Sequence, residues 1–281
     1  MNTTEQRQTV QNICRDILKE IIVFCEKHDI DYFMIHGSLL GAVRHGGVIP
    51  WDDDIDIAMT RDNYYRFIDC VKADGKEILH LNDIKINGSG SADYVSEVKV
   101  GRRGTKYCPK IGEDLNINSQ ITVDIYCVDY LKPSYVKDIK RKNILRLILS
   151  IAKLNWNEKR FMMRAFKQGT SRFKYLRIIA LYGMHVFRLL FTEKGIEHMI
   201  YNLAVDTTKS SEYMGVLMGV RQPIYFSSHF SLKKVDFDGL KVLIPSNYDE
   251  ILTRAYGDYM TPPPEDKRCN LDRFETVLEI S

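Results

Sequence analysis

The sequence contains no C-x-x-C pair, no H-E-x-x-H motif, no internal repeat and no low-complexity linker. It also lacks an apolar run that would cross a membrane. Its most apolar stretch, residues 178–191, is broken by His185 and Arg188 and is shorter than the roughly 20 residues a spanning helix needs. The six cysteines (Cys14, Cys25, Cys70, Cys108, Cys127 and Cys269) are scattered, several of them within apolar runs. That is the pattern of buried free thiols, and it argues against a disulfide framework or a structural zinc site. No cationic-then-apolar segment opens the sequence, so the expectation is a reducing, cytoplasmic setting without a secretory signal. Tryptophan is scarce, with two residues against sixteen Tyr and twelve Phe. What is present is an ordinary globular balance: 44% hydrophobic and 27% charged residues exclude a disordered or fibrous chain. A length of 281 residues allows one large domain or two small ones around a sizeable core.

A formal net charge of +3 hides an asymmetry. Residues 132–194 hold sixteen Lys/Arg and only three acids (Asp138, Glu158 and Glu193), which leaves 24 basic and 34 acidic residues elsewhere. A basic middle in an otherwise acidic protein points to a polyanionic partner or an anionic membrane surface.

Periodicity gives a mixed α/β (α+β) reading. Val10, Ile13, Cys14, Ile17, Leu18, Ile21, Ile22 and Cys25 recur at three-four spacing, which predicts an amphipathic helix over residues 5–28. A short β-run at residues 32–35 ends in His36-Gly37-Ser38, and residues 39–44 read as one or two helical turns. Residues 54–59 alternate polar and apolar as a half-buried strand does, and a helix follows over 61–72. Further strands are expected at 94–100 and 121–128, and a strand pair around Asp238-Gly239, with a helix over 248–256. Strand, helix and strand in this order predict a mixed sheet with helices packed on it. The expected organisation is a core at 1–130, a basic helical insert or lid at 131–215, and a segment returning to the core at 216–281.

The chemistry concentrates in Gly37-Ser38 and Trp51-Asp52-Asp53-Asp54-Ile55-Asp56. Residues i and i+2 of a strand share a face, so Asp54 and Asp56 point together while Ile55 and Ile57 point to the core. Two carboxylates about 6 Å apart at intermediate dielectric repel by roughly 3 kcal/mol. A cation between them, or a proton on one, relieves that. Magnesium is the natural occupant, taking carboxylate and phosphate oxygens. Glycine admits close approach of a phosphate, and Ser38 is placed to cap the following helix, whose N–H groups favour an anion. Asp124 is a lone charge in an otherwise apolar strand, where an unpartnered carboxylate is costly; it is the expected third acid. Taken singly, the acidic run also fits a solvated turn and Asp124 a structural acid.

The stretch from His36 to His45, followed by Ile49-Pro50-Trp51-Asp52-Asp53-Asp54-Ile55-Asp56, resembles the LicD family. That family contains bacterial choline-phosphate transferases and animal fukutin-type ribitol-phosphate transferases. Residues 245–248, 256–260 and 262–264 are similar to its second block. The resemblance implies a nucleotidyltransferase-type sheet core and a CDP-activated alcohol as donor. It implies transfer to a hydroxyl of a glycan or teichoic-type acceptor in cell-surface polysaccharide biosynthesis. It carries metal and catalytic roles onto Asp54, Asp56 and Asp124, with two Mg²⁺ (or Mn²⁺) ions as cofactor, and phosphate contacts onto Gly37 and Ser38. Asp52 and Asp53 match the motif without an assigned chemistry.

Asp53, Arg44, Arg102 and Arg103 complete the expected substrate-binding set. Arg44 ends the helical segment between the motifs and fits a phosphate fork or an ion pair with a neighbouring aspartate. Arg102 and Arg103, in a basic turn, fit donor phosphates or a solvated hairpin. Two other functions remain open at this level: nucleotidyl transfer releasing pyrophosphate, and a non-catalytic ligand-binding relative. The basic middle reads either as an interfacial helix docking on anionic lipid, at the inner face of a membrane, or as a lid with a solvated face. No nucleic-acid module accompanies it.

Overall fold

The computed structural model describes residues 3–79, 82–87, 97–109, 120–138, 193–217, 225–265, 268 and 276–280. Helix α1 (Thr3–His28) buries Val10, Cys14, Ile17, Leu18, Ile21 and Cys25, the apolar stripe read from the sequence. Burial of each such aliphatic side chain contributes about 1.5–3 kcal/mol, which is what fixes the helix to the sheet. The chain then forms β1 (Phe33–Met34), α2 (His36–Arg44), β2 (Ile55–Thr60) and α3 (Arg61–Ile78). Strands β3 (Asn82–Asn87), β4 (Glu97–Arg102), β5 (Thr105–Pro109) and β6 (Thr122–Tyr130) follow. After the short α4 (Pro133–Lys137), description resumes at α5 (Glu193–Ala204), β7 (Tyr213–Val216) and β8 (Tyr225–Phe226). The hairpin β9 (Leu232–Phe237) and β10 (Leu240–Pro245), helix α6 (Tyr248–Tyr256) and β11 (Thr276–Ile280) complete the chain.

Seven strands make one mixed sheet, with a central path β1-β2-β6-β4-β3. β2 and β6 are parallel, in the register Ile55↔Val123 through Thr60↔Val128. β4 runs antiparallel to the first half of β6, and β7 pairs with its last three residues. One long strand thus carries two neighbours in succession along a single edge. On one face Ile55, Ile57, Val98, Val100, Val123 and Ile125 are all at most 1% exposed, beneath α1 and α3. The opposite face carries the polar alternates, Asp56, Asp124 and Lys99, as period-two alternation requires. A smaller cluster of Leu131, Tyr135, Ile200, Ala204, Val205 and Leu217 seats α4 and α5. The predicted stretch 139–192 of the basic middle, and residues 94–96 of the strand expected at 94–100, lie outside the described residues.

The Asp238-Gly239 turn has positive φ at both residues, 50° and 83°, the geometry of the tight hairpin turn that Asp-Gly favours. Its backbone N–H donates to the Gly46 carbonyl at 2.7 Å, and the Asp238 carboxylate accepts from the Val48 N–H at 3.0 Å. A Cβ on Gly47 would sit 2.0 Å from Asp238 Oδ1. The hairpin is therefore locked onto the loop that leads into the acidic motif.

Candidate active site

The acids are brought together by two local devices. The first is strand register: Asp56 and Asp124 are direct neighbours on parallel β2 and β6, and Lys99 of β4 stands opposite Asp124 on the other side. The three side chains form a row across three strands. Lys99 Nζ donates to Asp124 Oδ2, and Thr122 Oγ1 donates to Asp124 Oδ1 at 2.8 Å. The second device is the turn before β2, closed by the Asp52 N–H donating to the Ile49 carbonyl at 2.9 Å. Gln11 of α1 pins that turn, its Nε2 donating to the Asp52 carbonyl at 2.7 Å and the Ile49 carbonyl at 3.2 Å. β2 begins only at Ile55, so Asp52, Asp53 and Asp54 converge through the turn rather than through strand alternation. One carboxylate oxygen from each lies within 4.8 Å of the others.

Gly37 and Ser38 are placed beside this cluster in unexpected roles. Helix α2 starts at His36, with Ile35 as its N-cap and no side-chain cap; the expected capping by Ser38 is corrected accordingly. Ser38 is already inside the helix, and its Oγ accepts from the Asp56 N–H at 2.8 Å, while the Ile35 N–H donates to the Asp56 carbonyl at 3.2 Å. Both backbone groups of Asp56 are thus tied to the start of α2, which fixes the direction of its side chain. A Cβ at Gly37 would meet Asp52 Oδ2 at 2.6 Å. Glycine is needed here because a carboxylate packs against it. His36 enters the helix at φ 50°, an uncommon conformation for a side-chain-bearing residue, with its ring edge-on to Tyr126 at 5.5 Å.

Electrostatics report the crowding. Burial, then Asp54 and Asp53, push the Asp52 carboxyl up to about 8. Burial raises Asp54 as well, with Asp53 and Asp124 adding to it and its hydrogen bond with Asp52 opposing. The Cys14 thiol beneath the turn is raised by burial and then by Asp54, Asp53, Asp124 and Asp52. The Tyr256 hydroxyl is raised by burial and then by Asp52 and Asp56, while Arg44 pulls it down. The Tyr256 hydroxyl is thus within electrostatic reach of both the acids and Arg44, in a residue 47% exposed.

Oxygen donors packed this closely, with mutual repulsion holding protons on them, fit a hard divalent cation and no soft one. Among the described residues, Asp52, Asp53 and Asp54 present carboxylate oxygens close enough to share one ion, and Asp56 and Asp124 are register neighbours on the adjoining strands.

The expected arginines separate. Among the described residues Arg44 makes no aspartate pair: Nη1 donates to the Tyr259 carbonyl at 2.8 Å, and its guanidinium lies 5.8 Å from the Trp51 ring centroid. It stays at the site's rim. Arg102 shares the α1 face of the sheet with Val98 and Val100, where Nη2 pairs with Glu20 Oε1 at 2.9 Å. Arg103 Nη2 donates to the Asn82 carbonyl at 3.0 Å. Neither is brought to the acids. Sequence reasoning missed Lys99, Thr122 and Tyr256. Lys99 sat on the polar side of an alternating strand, and only the register shows that it faces Asp124.

A mixed α/β domain that presents a carboxylate row beside a Gly-Ser helix start is the class of architecture that comparison now makes specific. Residues 29–130 match the family described as LicD/FKTN/FKRP, nucleotidyltransferase domain. It is 28% identical over 262 residues to the lipopolysaccharide cholinephosphotransferase LicD of Haemophilus influenzae, covering 91% of this chain and 92% of that protein. It is 40% identical over 45 residues to the human ribitol 5-phosphate transferase FKRP, 16% of this chain and 9% of that one. An uncharacterized Rickettsia prowazekii protein is 43% identical over 47 residues, 17% of this chain and 18% of that protein.

Proposed function

We propose that this protein transfers a phospho-alcohol group, of the phosphocholine type, from a CDP-activated donor to a hydroxyl of a cell-surface glycan. The observation that carries the reading is the in-register pair Asp56 and Asp124 beside the clustered Asp52, Asp53 and Asp54 carboxylates, of which Asp54 feels Asp124. The near full-length similarity to a cholinephosphotransferase supports the group transferred. A lipopolysaccharide-type acceptor follows from the same relative, and a teichoic-type acceptor is the sequence-based alternative.

The carboxylates of Asp54, Asp56 and Asp124, with Asp52 and Asp53 at the turn, would hold Mg²⁺ (Mn²⁺ as substitute). Bound there, the ion neutralises charge on the phosphoryl oxygens in an in-line displacement. The chain's own residues do the rest. Ser38 and Ile35 hold Asp56 in direction through its backbone. Lys99 and Thr122 hold the Asp124 carboxylate, which in this reading would receive the proton of the acceptor hydroxyl as its oxygen attacks the alcohol-bearing phosphorus. The new O–P bond forms as the phosphoanhydride bond breaks, and CMP leaves with the electron pair.

Replacing Asp54 or Asp56 by Asn should lower CMP release from CDP-choline in the presence of Mg²⁺ by at least about a hundredfold, since even outer-sphere changes at such sites cost 10–100-fold. Melting temperature should stay near that of the parent. A near-normal rate in either variant would remove the assignment, and release of pyrophosphate from CTP in place of CMP would mean nucleotidyl transfer instead.

A further inference from the structure

Trp51 directly precedes the acidic turn, and at its ring two cations meet. The Arg268 guanidinium lies 4.4 Å from the Trp51 centroid and that of Arg44 lies 5.8 Å from it. The two come from distant parts of the chain: Arg44 closes α2, and Arg268 follows the proline stretch beyond α6. Like charges gathered at one aromatic ring repel unless an anion lies between them. The groups around them do little to cancel that charge. Among the described residues, Arg44 donates to two neutral acceptors, the Tyr259 carbonyl at 2.8 Å and His45 Nδ1 at 3.4 Å. Arg268 Nε donates to the Pro263 carbonyl at 3.1 Å, and its one carboxylate contact is Glu265 at 3.4 Å, a side chain 89% exposed.

The pair is also adjacent to the acids. Trp51 directly precedes Asp52, and the Tyr256 hydroxyl feels Asp52, Asp56 and Arg44 together. The mutual proximity of the guanidiniums is felt in Arg44, lowered first by burial, with Arg268 adding to it. Burial and then Arg44 likewise lower His45.

We infer that Arg44 and Arg268, both stacked at the Trp51 ring, form a second phosphate subsite that takes the nucleotide-side phosphate of a diphosphate ester while the acids' cation takes the other. The inference deepens the proposed function and rests on it for the identity of the ester, but the subsite itself can be read without turnover. Planar guanidiniums suit this task because each can meet two phosphate oxygens at once. Arg268 thereby ties the segment after α6 to substrate. It would hold the leaving nucleotide in line with the bond to be broken.

Trp51 supplies the readout. The full chain carries two tryptophans, so a Trp156→Phe background leaves Trp51 as the single indole reporter. Inorganic pyrophosphate titrated in the presence of EDTA should change its emission saturably. Arg268→Gln and Arg44→Gln should each weaken the apparent affinity by about tenfold or more, the loss expected for one charge-assisted fork, and Arg268→Lys should recover part of it. Lys241→Gln, at an exposed cation on the β9–β10 hairpin, should leave the curve unchanged. Absence of any saturable change in the parent, or an Arg268→Gln curve that overlays it while the variant melts like the parent, overturns the subsite. In turnover with CDP-choline, Arg268→Gln should raise KM for the donor far more than it lowers kcat. A parent that binds pyrophosphate in this way yet releases no CMP from any CDP-alcohol would remove the proposed function and leave the subsite standing.

Discussion

Gly37 shows how a single missing Cβ shapes the site. The sequence suggested a glycine that admits a phosphate; the structure finds an aspartate carboxylate in that space, 2.6 Å from where a Cβ would be. Gly37→Ala improves helix propensity within α2 by up to about 1 kcal/mol, yet it must displace Asp52. The expected result is a protein of near-parental melting temperature whose Mg²⁺ affinity, measured by calorimetry, falls several-fold. Unchanged affinity would mean that Asp52 is not part of the ion's surroundings. The acids themselves were legible as residues, because D-x-D on an alternating strand and a lone acid in an apolar one are costly patterns without a shared partner. The partners of those acids were not legible. Lys99, Tyr256 and Arg268 become part of the site only through strand register and through the return of the chain's end, neither of which leaves a local pattern.

At the scale of elements, helices α1 and α6, strands β2 and β6 and the β9–β10 hairpin were readable from period and turn chemistry, with ends shifted by a few residues. Strands β3, β5, β7, β8 and β11 were not, since each is short or draws its stability from a distant partner, as β11 does from β5. The hairpin's role was equally hidden. Its Asp238 turn is joined to the Gly46–Val48 loop by two hydrogen bonds, and Arg15 Nη1 of α1 approaches the same carboxylate at 3.3 Å. Asp238→Ala loses the acceptor and puts alanine at positive φ, so unfolding free energy should drop by about 2 kcal/mol in urea denaturation. Asp238→Asn, which keeps an acceptor and tolerates that φ, should lose less. If the two variants unfold alike, the carboxylate does not brace the loop.

For the molecule as a whole, the acid cluster makes stability depend on pH and on cations together. Asp52 and Asp54 have raised folded-state pKa values, Asp52 at about 8. Between the ordinary carboxylate range and pH 8 the folded chain therefore binds more protons than the unfolded one. Their contribution is fully present below about pH 4 and is lost as pH rises through the folded values. In EDTA the melting temperature should accordingly be higher at pH 6 than at pH 9, and millimolar Mg²⁺ should flatten that slope by binding the ionised folded state. A melting temperature that climbs from pH 6 to 9 without divalent ions would contradict the crowding described here.

The place where β6 ends has its own consequence. The strand exits through Leu131, bridged to Val205; the Lys132 N–H donates to the Ala204 carbonyl and the Asp206 N–H to the Tyr130 carbonyl, both at 2.8 Å. The outgoing and returning chain are thus clasped together before residue 139 and after residue 192. Loop-closure entropy grows only slowly with the length enclosed, so that neck is a natural graft point. Changes in size or composition between 139 and 192 should therefore leave the register of Asp56 and Asp124 untouched.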